Sequence, residues 1–130
     1  MTVSFCLDDR GGMLFNKRRL SRDAAQLADL AAEGPLTIDA FSEKLLISAG
    51  IPYVLAGEEL PENALFFNEV RRPEALLPLA DRLVLYRWNR HYPSDVRWEG
   101  QPSDFGFVLR ETTEFPGKSH EKITKEVYVK

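Results

Sequence analysis

The sequence predicts one α/β domain: a mixed, mainly parallel sheet flanked by helices, with an antiparallel strand pair at its C-terminal side. Three observations carry this. Short apolar runs alternate with stretches of helical spacing through the first two thirds of the chain, which is the pattern of strands joined by right-handed crossovers. The last two apolar runs follow one another with a loop between them, as in an antiparallel pair. Finally, 130 residues of which 44% are apolar suffice for one core but not for two, so residues 1–130 are read as a single domain.

Taken in order, Val3 to Leu7 form a strand with Val3, Phe5 and Leu7 on one face and Ser4 and Cys6 on the other. The turn-forming run from Asp8 to Gly12 ends it. A loop carrying the basic cluster Lys17, Arg18 and Arg19 leads to Ser21, whose hydroxyl is placed to cap a helix. From Arg22 to Glu33, Ala24, Leu27, Ala28, Leu30 and Ala31 make one apolar stripe, stopped by Gly34 and Pro35. Leu36 to Ile38 form a short strand running into Asp39, the expected cap of a second helix from Ala40 to Ala49 that Gly50 closes.

Tyr53 to Ala56 and Ala64 to Phe67 are further short strands on either side of a turn region. Pro73 suits the first turn of a brief helix through Ala80, which Pro78 kinks or ends. Leu83 to Leu85 form the next strand. Beyond the breaks at Pro93 and at Gly100 to Ser103, Phe107 to Phe115 and Ile123 to Val129 are two strands joined by a loop from Pro116 to His120. No internal repeat or low-complexity linker marks a second domain.

Composition narrows function by exclusion. A charged fraction of 28% with a net charge of −3 suits neither a basic nucleic-acid-binding tail nor an acidic disordered chain. One cysteine, Cys6, rules out an intrachain disulfide and a multi-thiolate zinc site, and a buried, inert thiol is the simple reading. The histidines, His91 and His120, stand in no metal-ligand spacing, so no metal is predicted and both are expected at the surface. The apolar run at the amino terminus stops at Leu7 and none approaches the ~20 residues of a membrane span, so a cytoplasmic protein is expected. There is no Gly-x-Ser-x-Gly, no phosphate-cradling glycine loop and no persuasive pair of catalytic carboxylates. Asp8 and Asp9 are read as turn residues.

Several local patterns, in order, resemble dihydrofolate reductase. The opening strand followed by Asp8-Asp9-Arg10-Gly11-Gly12-Met13 is similar to that family's first strand and mobile active-site loop. Leu20-Ser21-Arg22-Asp23 resembles its Leu-Pro-x-Asp, which makes Asp23 the match for its substrate-binding carboxylate, and Pro35 opens the second strand at the family's distance. The run from Leu77 to Leu85 is similar to Leu-Pro-x-Ala-x-x-Leu-x-Leu. It places Tyr86 where the family has a threonine linked to that carboxylate, and Asp95 and Trp98 fit a later segment. The resemblance therefore implies a dihydrofolate reductase-like fold in a shortened, divergent form.

The departures bear on function. Where the family has a Gly-Arg-x-Thr/Ser stretch that holds cofactor phosphates, this chain has Asp39-Ala40-Phe41-Ser42, and a carboxylate repels a phosphate. The family's later Gly-Gly is replaced within Asn68-Glu69-Val70-Arg71, whose side chains obstruct close approach of a pyrophosphate. The interval from Ile51 to Phe67 is also short for the family's adenosine-binding portion. The expectation is a small-molecule-binding protein with a degenerate cofactor site: no NADPH, hence no competent NADPH-dependent reductase activity.

The expected ligand pocket comprises Asp23, an apolar floor of Phe5, Leu7 and Leu27, and Tyr86, and it suits a protonated heterocycle or amidine-like group. A second reading of Asp23 is that it complements the helix dipole at the surface. The alternative function is a nucleotide- or nucleic-acid-binding module. In that reading Arg18, Arg19 and Arg22, together with Arg87 and Arg90 near Trp88 and Tyr92, bind phosphates and stack on bases. The motifs assign no reaction and no oligomeric state.

Overall fold

The computed structural model describes all 130 residues. In chain order, β1 (Thr2–Leu7) leads into a hairpin of β2 (Gly12–Phe15) and β3 (Arg18–Arg19), then α1 (Ala24–Ala31) and β4 (Leu36–Ile38). A 3-10 turn at Ala40–Ser42 opens into α2 (Glu43–Ala49), followed by β5 (Tyr53–Leu55) and β6 (Leu65–Phe67). Next come α3 (Pro73–Leu76), with a 3-10 turn at Leu77–Leu79, and β7 (Arg82–Arg87). The chain ends with β8 (Val96–Arg97), a 3-10 turn at Pro102–Phe105, β9 (Val108–Phe115) and β10 (Ile123–Val129).

Seven strands form one sheet in the order β5-β4-β6-β1-β7-β10-β9. The first five run parallel, and β10 pairs antiparallel with both β7 and β9, as the sequence predicts. A sheet covered on both faces favours apolar residues at consecutive positions rather than alternate ones; β6 and β7 follow this, while β1 and β4 bury Ser4 and Thr37 among their apolar residues. Val3, Phe5, Leu7, Phe66, Leu83 and Leu85 face one core with α3, while Phe67, Val84 and Tyr86 face the other with Leu27 and Leu30 of α1 and Leu45 and Leu46 of α2. Both cores lie against the same central strands, and α1 and α2 share one face of the sheet.

Two local readings change. The stretch after Gly12 is a hairpin rather than a loop. Leu14 pairs with Arg19 and Phe15 with Arg18, and the two-residue turn holds Asn16 and Lys17 at φ 51° and 62°. Such a turn matches strand twist, and Asn is suited to it, but the absence of the usual glycine hides it in the sequence. Asp39 stands at the start of the 3-10 turn but makes no side-chain cap; it pairs instead with Arg71, through Nε at 3.0 Å and Nη2 at 2.7 Å. Gly50, at φ 69°, closes α2 as expected, its N–H donating to the carbonyls of Leu46 and Ile47.

Asp8, 2% exposed, accepts from the N–H groups of Arg10, Gly12 and Tyr92, so its turn role extends to fixing the loop after β7. No helix is long and apolar enough to cross a membrane. Leu30 has no exposed surface and packs between α1 and the sheet. Leu30→Ala is expected to lower the unfolding free energy by about 2–5 kcal/mol, measured as a lower urea midpoint at unchanged denaturant dependence.

Candidate functional site

The centre of the site is the start of α1. Asp23 rather than Ser21 caps the helix, its Oδ1 accepting from the N–H of Ala25 at 2.9 Å. The same carboxylate accepts from the N–H groups of Lys118 at 3.0 Å and Ser119 at 2.7 Å, and from His120 Nδ1 at 2.9 Å. It is 1% exposed. The loop between β9 and β10 can wrap this closely because Gly117 stands against the carboxylate: a Cβ there would lie 2.5 Å from Asp23 Oδ2 and 2.9 Å from the carbonyl of His120. Burial alone pushes the Asp23 carboxyl up, but the hydrogen bonds from His120, Lys118, Ser119 and Ala25 outweigh it and hold the group down at about 2.

Behind Asp23 lies a second layer that sequence reasoning missed. His120, expected at the surface, is 5% exposed, because its ring stacks on Trp88 at 4.5 Å between centroids and 14° between planes. With Nδ1 directed at the carboxylate, Nε2 meets Ser21 Oγ at 3.0 Å and Tyr92 Oη at 3.0 Å, and Tyr92 in turn donates to Ser21 at 3.2 Å. The hydroxyl expected to cap the helix is thus turned to the histidine. The network joins residues 97 positions apart in the chain, and no local motif in either segment announces it.

The ligand residues expected from the sequence divide. Asp23 and Leu27 both border a groove of about 230 Å³ between α1 and α2, together with Arg22, Leu45, Ala49 and Lys118. Phe5 and Leu7 lie in the core on the other face of the sheet and form no floor there; their face of β1 is opposite the one α1 covers. Tyr86 is buried beneath α1 and donates to Asp29 Oδ2 at 2.6 Å rather than linking to Asp23, and burial together with that carboxylate pushes its phenol well up. A smaller cavity of about 20 Å³, bordered by Cys6, Ser21, Gln26 and Asn68, takes about one water rather than a ring system.

The cations divide as well. Arg18, Arg19 and Arg22 gather with Lys17 and Lys44 around an open basin beside Ser21 and Phe41. Arg19 is engaged there by Glu69 at 2.8 and 2.9 Å. Arg87 lies elsewhere and is paired with Glu126 at 2.9 Å; Arg90 is exposed and borders neither the basin nor the groove. Trp88 is 4% exposed and Tyr92 is tied into the histidine network, so neither offers a free face to a base. No group of three or more His, Cys, Asp or Glu side chains is placed to hold a metal. At the carboxyl ends of β4 and β6, the Asp39–Arg71 pair stands beside Glu69, which also accepts from Ser42 at 2.7 Å. Asn68 folds the following turn by bonding both the N–H and the carbonyl of Arg71.

Strand order, the crossover helices and the closing antiparallel pair define the dihydrofolate reductase-like fold. The solved structure of dihydrofolate reductase from Enterococcus faecalis, complexed with NADP(H) and RAB-propyl, superimposes on 99% of this chain and 95% of that one, with a TM-score of 0.65 and 12% identity. At that identity the likeness is one of fold, and chemistry has to be argued from the site. No protein-family model and no curated protein sequence matches the chain.

The folded value of about 2 for Asp23 lies below its ordinary 3.8, so the ionised carboxylate stabilises the folded state fully above about pH 5. That contribution, about 2 kcal/mol, drains away as pH falls toward 2. Asp23→Asn is expected to flatten this part of the stability–pH profile while costing about 2–4 kcal/mol at neutral pH, since the two N–H donors that met one carboxylate oxygen then face an amide NH2. Gly117→Ala, with unchanged charge, is expected to cost about 1–3 kcal/mol through overpacking. Urea unfolding between pH 2 and pH 8 checks all three.

Proposed function

We propose that this protein binds a small molecule in the groove between α1 and α2 and works without NADPH-dependent reduction. The observation that carries the reading is the groove itself, about 230 Å³ with apolar walls from Leu27, Leu45 and Ala49 and the cations Arg22 and Lys118 on its rim. Ligand sites combine a mainly apolar lining with a few polar groups; with the Asp23 carboxylate buried against its own donors, the accessible charges here are the two cations, which favour an anionic ligand. The ligand class favoured here is a small apolar body bearing an anionic group. A protonated heterocycle on Asp23 is disfavoured, because that carboxylate already accepts four hydrogen bonds from the protein.

Two features argue against a dinucleotide. Asp39 and Glu69 put carboxylates at the strand ends where a pyrophosphate needs donors, and their guanidinium partners Arg71 and Arg19 are already engaged. The turn from Asn68 to Arg71 is built from side chains that fill the approach a glycine pair leaves open. These residues do not fit the NADPH phosphates.

Titration with 1-naphthoate, followed by amide chemical shifts, is expected to perturb Leu27, Leu45, Ala49 and Lys118 with Kd on the order of 0.1–1 mM, a level suited to a fragment of this size. Replacing Arg22 and Lys118 together by Gln is expected to weaken binding about tenfold. No saturable NADPH binding and no NADPH oxidation with dihydrofolate are expected. Turnover that Asp23→Asn abolishes would overturn the reading.

A further inference from the structure

We infer that Ser21, His120 and Asp23 form a nucleophilic relay that cleaves small anionic esters, an activity separate from binding in the α1/α2 groove. The geometry has the three parts such a unit needs. A hydroxyl lies within hydrogen-bond reach of an imidazole nitrogen, the other ring nitrogen is held by a carboxylate, and that carboxylate is itself immobilised. Here Ser21 Oγ lies 3.0 Å from His120 Nε2, and His120 Nδ1 lies 2.9 Å from Asp23 Oδ2. Two backbone N–H groups and the helix cap fix Asp23 in place, and Trp88 stacked on the ring fixes its plane.

The carboxylate at Nδ1 selects the tautomer with its proton on that nitrogen, leaving the Nε2 lone pair for a hydroxyl proton. Tyr92 Oη stands 3.2 Å from Ser21 Oγ and 3.0 Å from His120 Nε2; when its proton goes to Ser21, the Nε2 lone pair is left to the serine proton. A network serving stability alone needs no open side. This one has one: Asp23 and His120 are buried, whereas Ser21 is half-buried and borders the basin of Lys17, Arg18, Arg22 and Lys44.

The basin sets the substrate class. Its cations face the serine from the β2–β3 hairpin, the start of α1 and α2, so an ester carrying a carboxylate or phosphate is drawn there. Phe41, 36% exposed, gives its acyl chain an apolar face. The enclosed cavity behind Ser21 has room for about one water, which restricts the acyl group to a short chain lying in the open basin.

In the step, Ser21 Oγ bonds to the acyl carbon as its proton passes to His120 Nε2. The ester C–O bond then breaks and the leaving alkoxide takes that proton. Water attacks the acyl-serine, His120 receives its proton and returns it to Ser21, and the net change is ester plus water to acid plus alcohol. Arg22, next to the serine and exposed, supplies positive charge near the developing oxyanion. Ser21 and His120 are the catalytic residues of this scheme; Asp23 and Tyr92 position them. The thiol bordering the same cavity, Cys6, does not compete, because its burial, with the charges of Glu69 and Asp23, pushes it well above the ordinary thiol range.

The test uses the full chain, a short-alkyl fluorophosphonate, and the esters 4-nitrophenyl hydrogen succinate and 4-nitrophenyl acetate. One adduct per chain is expected on Ser21 by peptide mass, with hydrolysis of the succinate ester at least tenfold faster than that of the acetate. Ser21→Ala, which removes one half-buried hydroxyl, is expected to stay folded by circular dichroism, take up no label and lose on the order of 10³-fold in hydrolysis. His120→Gln is expected to slow labelling at least 100-fold. A wild-type protein that takes no label, or a folded Ser21→Ala that reacts as fast, overturns the relay and shows the network to be structural. Neither result bears on naphthoate binding between α1 and α2, which is read separately.

Discussion

The buried carboxylate of Asp23 is the constraint on which the rest of the site depends. An ionised group taken out of water is tolerated when hydrogen bonds replace its hydration, and here four donors do so from two segments far apart in the chain. One consequence is local, since α1 begins where that carboxylate can cap it. The other is long-range: the β9–β10 loop is drawn onto the helix start, which orients His120 and through it Ser21 and Tyr92. The start of α1 and the placement of the β9–β10 loop therefore rest on one side chain.

A second set of paired carboxylates runs along the ends of β4 and β6. Glu69 is held by Arg19 and Ser42, and Asp39 by Arg71, with Arg71 also lying over the ring of Phe66 at 5.0 Å. Each carboxylate takes up a guanidinium that could otherwise hold a phosphate. The ion pairs are only partly exposed, so salt screens them less than it would a surface pair.

Much of the fold was legible in the sequence because its signals are local. Gly34-Pro35 and Gly50 end helices, and the strands read as short apolar runs between turn signals. The order of these elements pointed to the dihydrofolate reductase-like fold, which the seven-stranded sheet and the Enterococcus faecalis enzyme bear out. The departures from the resembling family at Asp39 and within Asn68 to Arg71 were also visible, as carboxylates and bulky side chains where that family carries glycine. What the sequence hid was non-local. Phe5 and Leu7 share a face with one another but not with Leu27, a question of which side α1 covers. Tyr86 reaches Asp29 rather than Asp23 because its ring spans the layer beneath α1. His120 sits in a polar loop that reads as solvent-exposed, and its burial follows from Trp88 and Asp23, distant residues that no spacing rule connects to it.

The most direct measurement of the account is the tautomer of His120, read from long-range proton–nitrogen correlations of the ring at pH 8. The network described here requires Nδ1 to carry a proton in slow exchange with water while Nε2 accepts a hydroxyl. A proton resident on Nε2, or an Nδ1 signal exchanging as fast as that of a free imidazole, would contradict it.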